Sequence, residues 1–261
     1  MNLNDIGTQL LFTTIPIWIE KGNGLLAHAT GFFYMKDVPN KGPVPLIVTN
    51  KHVVENATRG VLGFVKADSN RPLVNQRITV EITDRKILTS FLHPKYDLAV
   101  FPVGPLINRL TETGKSILFR SIMSDIVPNK EIIEGLSAIE EITFIGYPSG
   151  LFDHKNNAPI IRQGITASPI WNDFNGEPVF LIDAGVYPGS SGSPVFIYNR
   201  GAYPTKNGIT VGTRLLFLGI LSETLTRKEE SKIYLGLGKV IKSEVVMNFI
   251  DYAVEKLTSS V

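Results

Sequence analysis

The chain is a succession of short apolar segments, each about as long as a β-strand and each closed by turn-forming residues. Residues 9–20, 30–35, 45–49, 60–66, 77–82, 86–92 and 98–103 make up a first set. Residues 142–146, 160–167, 179–184, 193–198, 215–222 and 233–240 make up a second. About six strands per set is the number that closes a small barrel and removes exposed sheet edges. The expected fold is therefore all-β, with two six-stranded antiparallel β-barrels. Residues 104–141 differ: they carry more charge, lack strict alternation and leave room for helical turns at 117–126 and 130–140. They read as a crossover. The expected division is an N-terminal barrel over 1–110, a crossover over 111–140, a C-terminal barrel over 141–242 and a helix over 243–261. In that helix Ser243 can cap the start, and Glu244 sits favourably near the positive end. Val245, Val246, Phe249, Ile250, Ala253, Val254 and Leu257 recur at helical spacing, giving one apolar face to pack on the body.

Composition removes several function classes. Basic and acidic residues nearly balance, 26 against 24, and no basic cluster argues for a nucleic-acid partner. The chain has no cysteine, which excludes disulfides, thiolate metal sites and a cysteine nucleophile. No HExxH-type pair or other ligand cluster is visible, so neither a metal nor a cofactor is expected. The N-terminus has no basic region ahead of an apolar core, and residues 10–19 are broken by Thr13, Thr14 and Pro16. No apolar run is long enough to span a bilayer. The expectation is a cytoplasmic protein with no membrane contact.

The chemistry is concentrated in Tyr187-Pro188-Gly189-Ser190-Ser191-Gly192-Ser193-Pro194, a tight turn that presents a hydroxyl between two apolar runs. A serine hydroxyl keeps its proton at neutral pH. To act as a nucleophile it needs a base, a group to orient that base, and donors for the oxyanion. His52 ends the apolar run 45–49 after a short polar turn, a suitable place for a base facing a cleft. Asp97 opens the run 98–103, where it can hold an imidazole in one tautomer. His93 competes as the base, although the Pro94 turn is expected to direct it to the surface. Ser190 and Ser193 compete as the nucleophile. The order His52, Asp97, Ser191 is that of the two-barrel serine proteases and not of other triad folds.

On these segments the chain resembles the chymotrypsin/trypsin-like peptidases, in pattern nearest to the bacterial HtrA-type (Deg) and glutamyl-endopeptidase branches. Ile47-Val48-Thr49-Asn50-Lys51-His52-Val53-Val54 resembles the histidine block of that family. Tyr96-Asp97-Leu98-Ala99-Val100 resembles the aspartate block, and Asp183 to Pro194 the serine block. The resemblance implies a serine endopeptidase whose active site lies in the cleft between the barrels. It implies Ser191 as nucleophile, His52 as general base and then acid, Asp97 as orienter, and the amides of Gly189 and Ser191 as the oxyanion hole. It also implies that the substrate pocket has its base near Gly185 and its wall near Leu221, Ser222 and Thr224, with Ser222 placed to bond Asp97.

Departures from the family shape the remaining expectations. Ser190 stands where secreted digestive members carry an acid, so activation by that ion pair is not available. Gly185 replaces the acid that selects Lys or Arg, and Leu221 the histidine of glutamyl-specific members. A preference for small or medium apolar residues before the cut follows. The chain stops after one helix, where HtrA-type proteins usually carry a PDZ domain. The expected partners are a protein or peptide substrate and a regulatory protein. A catalytically silent or partner-activated peptide-binding module, and an esterase using the same triad, are the competing readings.

Overall fold

Apolar runs rich in β-branched and aromatic residues, closed by turn residues, make antiparallel strands of most of these segments. The computed structural model describes residues 1–22, 24–205, 208–228 and 232–259. Its first half contributes β1 (Thr14–Lys21), β2 (Leu26–Val38), β3 (Gly42–Thr49), β4 (Ala57–Asp68), β5 (Arg71–Ile82), β6 (Phe91–Leu92), β7 (Ala99–Pro102) and β8 (Ile117–Leu118). These form an eight-stranded sheet in the order β5-β4-β1-β2-β3-β7-β6, with β8 paired to β4. The second half contributes β9 (Glu141–Gly146), β10 (Ile160–Thr166), β11 (Val179–Asp183), β12 (Pro194–Asn199), β13 (Ala202–Thr205), β14 (Gly208–Val211), β15 (Arg214–Lys228) and β16 (Lys232–Lys242). Six of these close a barrel in the order β10-β11-β16-β15-β12-β9, and β13 and β14 form a separate hairpin.

The halves therefore differ from the expected pair of six-stranded barrels. The second closes with six strands. The first has eight, and its pairings among the described residues form an open path. The reason lies in β4, which outruns its neighbour. It pairs with β1 over its first residues, and at Val65 and Lys66, where its register with β5 shifts, its free edge takes Leu118 and Ile117 of β8. The segment expected to be a crossover thus adds a strand to the N-terminal sheet beyond residue 110.

Among the described residues six α-helices accompany the strands, five short and one of 17 residues: α1 (Ile6–Leu10), α2 (Lys51–Val54), α3 (Arg85–Leu88), α4 (Gly104–Glu112), α5 (Lys130–Glu134) and the longer α6 (Ser243–Ser259). Local capping explains two departures from the sequence reading. The Asp5 carboxylate accepts from Thr8 N at 2.8 Å, which starts α1 and delays the first strand to Thr14. The Asp84 carboxylate accepts from Lys86 N at 3.0 Å, so the segment expected as a strand over 86–92 becomes α3 and the two-residue β6.

Each half has an apolar cluster of its own, and a third cluster is shared between them. Phe32, Tyr34 and Val48 of the first sheet pack with Phe196, Phe217 and Ile220 of the barrel. Helix α6 covers this cluster with Val246, Phe249, Ile250, Ala253 and Val254, as its spacing predicts. Phe217 is fully buried, with its ring centroid 5.4 Å from that of Phe32 and 5.9 Å from that of Phe196. Phe217→Ala is expected to destabilise the fold by about 3–5 kcal/mol through lost transfer energy and a residual cavity. Urea unfolding with a lowered midpoint and an unchanged slope is the check; a midpoint equal to that of the parent rejects the shared core.

Candidate active site

Strand pairing places the histidine beside the aspartate. Thr49 at the end of β3 pairs with Ala99 at the start of β7, so the residues just beyond each strand meet. Asn50 Nδ2 donates to the Asp97 carbonyl at 2.8 Å, and α2 then turns His52 back over the carboxylate. His52 Nδ1 lies 2.7 Å from Asp97 Oδ2, and the His52 amide donates to Asp97 Oδ1 at 2.9 Å. Both carboxylate oxygens are thus engaged by one residue. This fixes the ring tautomer with hydrogen on Nδ1 and leaves Nε2 as an acceptor.

Ser191 reaches the same cleft from the other half. Its carbonyl accepts from Thr30 N of β2 at 3.1 Å, and Gly192 N donates to the Leu221 carbonyl at 2.9 Å, so the loop is tied to both halves. His52, Tyr96, Asp97, Val179, Pro188 and Ser191 line a cleft of about 610 Å³. The Ser191 hydroxyl points to the Ser222 carbonyl at 3.4 Å, and among the described residues it makes no hydrogen bond to His52. Ser190 and Ser193 are 1% and 0% exposed, too buried to meet a substrate. His93 is not at the surface as expected. Its ring packs between Tyr96 and Phe249, and Nδ1 accepts from the amides of Lys95 and Tyr96. Burial, and then the charge of Lys51, hold its pKa below the ordinary imidazole range.

The residues from Tyr187 to Ser190 form a tight turn closed by Ser190 N donating to the Tyr187 carbonyl at 3.1 Å. Proline at the second position and φ of +84° at Gly189 mark it as type II. The Pro188 carbonyl accepts from Ser149 N at 2.8 Å and from Ser149 Oγ at 3.1 Å. In a trans peptide N–H and C=O point opposite ways, so the Gly189 amide is aimed away from Ser149. Neither the Gly189 nor the Ser191 amide finds a protein acceptor among the described residues. Two free donors flanking a serine hydroxyl are what an oxyanion requires. A Cβ on Gly189 would stand 2.3 Å from Ser149 N. Gly189→Ala is therefore expected to shift this peptide and lower kcat by about 100–1,000-fold, the effect of losing one donor. Steady-state kinetics on a peptide substrate provide the check, beside a melting curve that shows the variant to be folded; full activity would mean that this amide is not used.

The pocket residues divide. Thr224 lines the cleft and Leu221 is fully buried beneath it. Ser222 is not bonded to Asp97 as expected; its hydroxyl donates to the Lys239 carbonyl at 3.1 Å. Gly185 meets a residue that sequence reasoning missed. A Cβ placed there would lie 2.8 Å from Nη2 of Arg162. The position of Arg162 in β10 offered a signal, because it falls on the same face as the core residue Phe144 opposite it. Ser149 was missed as well, and its role depends on a left-handed backbone, φ +51°, that no local motif announced.

No group of three or more metal-ligating side chains occurs among the described residues, and no helix among them is long and apolar enough to cross a membrane. The HtrA-type protease AlgW, solved with a tripeptide, superimposes with a TM-score of 0.57 at 13% identity, over 98% of this chain and 64% of AlgW. Deg5 gives a TM-score of 0.53 at 16% identity, covering 92% of this chain and 88% of its own. The serine endoprotease from Yersinia pestis gives 0.53 at 18%, over 98% and 67%. At such identities these likenesses concern the fold, and this chain spans less than two thirds of the length of AlgW. No curated protein sequence matches this one. The sequence model for the trypsin-like peptidase domain matches residues 29–202, well over half of the chain, and the chain belongs to that family.

Proposed function

We propose that this protein is a serine endopeptidase with Ser191 as nucleophile, His52 as general base and acid, and Asp97 as orienter. The observation that carries the reading is the doubly bonded His52–Asp97 pair in one cleft with Ser191 and two free amides. The reading requires Ser191 Oγ to leave the Ser222 carbonyl and turn towards His52. Nε2 takes its proton as Oγ attacks the substrate carbonyl. The oxyanion is held by the amides of Gly189 and Ser191. Nε2 then protonates the leaving amine, and an acyl-enzyme remains. Water, deprotonated by the same nitrogen, releases the acid. On this reading the N-terminal sheet acts as the first barrel and the closed barrel as the second, with the cleft between them.

Reaction with a fluorophosphonate probe tests the proposal. Wild-type protein is expected to label at Ser191 and to hydrolyse a protein substrate; no labelling under any condition rejects it. The hydroxyl turned away from His52 favours one variant of the reading, in which a protein partner or the substrate itself completes the triad. Labelling that rises on adding a peptide ligand is its signature. The sequence alone favours a small or medium apolar residue before the cut, on the strength of Gly185, Leu221 and Thr224. The guanidinium at Gly185 supports a different chemistry.

A further inference from the structure

Arg162 is an unusual residue for the inside of a closed barrel. Strand β10 alternates, with Ile161 and Ile165 exposed at 53% and 44% and Arg162 on the opposite, inward face. The guanidinium carbon lies 6.0 Å from the ring centroid of Phe144 and 4.9 Å from that of Tyr187. It is half-buried, and no carboxylate pairs with it among the described residues; Asp183 on the neighbouring strand makes no ion pair with it. A guanidinium presents five donors that cannot be discharged by losing a proton, so leaving it in part-desolvated surroundings with only aromatic faces costs stability. Two rings hold its body in place while its donors stay available.

Its position relative to Ser191 gives that arrangement a use. Two segments, tied together at both ends, form walls that run from Ser191 to Gly236. One is the loop from Gly185 to Ser191. The other is the β15–β16 ribbon, where Thr224 pairs with Gly238. The walls meet near the nucleophile, where Gly192 N bonds the Leu221 carbonyl and Ser191 Oγ the Ser222 carbonyl. They meet again at the far end, where the amides of Ala184 and Val186 both donate to the Gly236 carbonyl at 3.3 Å. Arg162 stands at this far end. Its Nη2 occupies the space that a side chain at residue 185 would need, so the glycine makes room for the guanidinium. The Tyr187 ring over it is 47% exposed, which leaves the site open to solvent on that side.

We infer that Arg162 is a specificity-determining residue that binds a carboxylate, and that the substrates carry an acidic side chain, glutamate above all, at the residue before the cut. The inference rests on the serine endopeptidase reading for the location of the cut. A carboxylate matches the planar fork of a guanidinium with two parallel hydrogen bonds, and glutamate is the longer of the two acidic side chains.

The test separates recognition from catalysis. Peptides identical except for Glu, Gln, Leu or Lys before the cut are titrated calorimetrically onto the Ser191→Ala protein. The Glu peptide is expected to bind about 10-fold or more tighter than its Gln isostere, the size of one charge-assisted contact. Arg162→Gln should abolish that advantage while leaving the Leu peptide unaffected, and Arg162→Lys should retain part of it. Arg162→Glu should move the preference to the Lys peptide. Equal binding of Glu and Gln, a preference for Leu, a Glu advantage that survives in Arg162→Gln, or no binding of any peptide overturns the inference. Melting curves of the Arg162 variants show whether the barrel is intact, and Arg162→Lys carries the comparison if Arg162→Gln does not fold. Fluorophosphonate labelling of the wild type reports on the serine chemistry independently, so the two readings can fail separately.

Discussion

Ser191→Ala lowers kcat on a protein or peptide substrate by about a million-fold, to a residual rate set by binding and the free amides. The fold should not notice the change. The hydroxyl makes one long hydrogen bond, 3.4 Å to the Ser222 carbonyl, while the bonds that hold its loop come from the backbone of Ser191, Gly192 and Ser193. Denaturation midpoints of variant and parent should therefore coincide within about 0.5 kcal/mol, as expected where no capping, packing or buried polar network is touched. His52→Ala should cause a similar loss, and the double variant little more than either alone, because nucleophile and base act as one unit. Multiplying losses, or activity in Ser191→Ala near that of the wild type, would assign the reaction to other groups.

How much of this was legible in the sequence follows from where each interaction is made. Most strands of the C-terminal barrel read as apolar runs bounded by turn residues, so local pattern alone marks them, and α6 announces itself through a face that repeats every turn. His52 and Asp97 each sit just beyond a strand end, and the pairing of Thr49 with Ala99 that joins them is between strands the sequence did show. What the sequence hid depends on contacts between distant segments. Strand β8 is two residues long and exists because β4 outruns β1; nothing in Ile117 and Leu118 themselves requires a strand. Helix α3 depends on the cap supplied by Asp84, which lies just outside the segment 86–92 whose apolar content reads as a strand. Ser149 and Arg162 matter through the Pro188 carbonyl and the empty side of Gly185, both far along the chain.

Asp97→Asn tests the orienting carboxylate with almost no change in shape, and the expected loss in kcat is about 10,000-fold. The atoms that face the two carboxylate oxygens set the size of the loss. Oδ1 accepts from the His52 amide at 2.9 Å, and that donor cannot be reversed. An asparagine must therefore turn its oxygen to the amide and its NH₂ towards His52 Nδ1, now 2.7 Å away. Nδ1 is then obliged to accept, and the ring proton moves to Nε2. A protonated Nε2 cannot take the Ser191 proton, and the neutral amide no longer stabilises the imidazolium that forms during attack. The Asn50 bond to the backbone carbonyl of residue 97 survives, so the position of α2 should be kept. Asp97→Ala is the companion variant: it frees the tautomer but removes the anchor of the His52 amide, and so should cost stability where Asp97→Asn does not. Fluorophosphonate labelling rates measure the loss directly, since the probe reports on activation of the serine without substrate binding. A labelling rate for Asp97→Asn within about tenfold of the wild type, a loss of no more than about 1.4 kcal/mol, would reduce the carboxylate to a structural tie for α2 and leave the base to be found elsewhere.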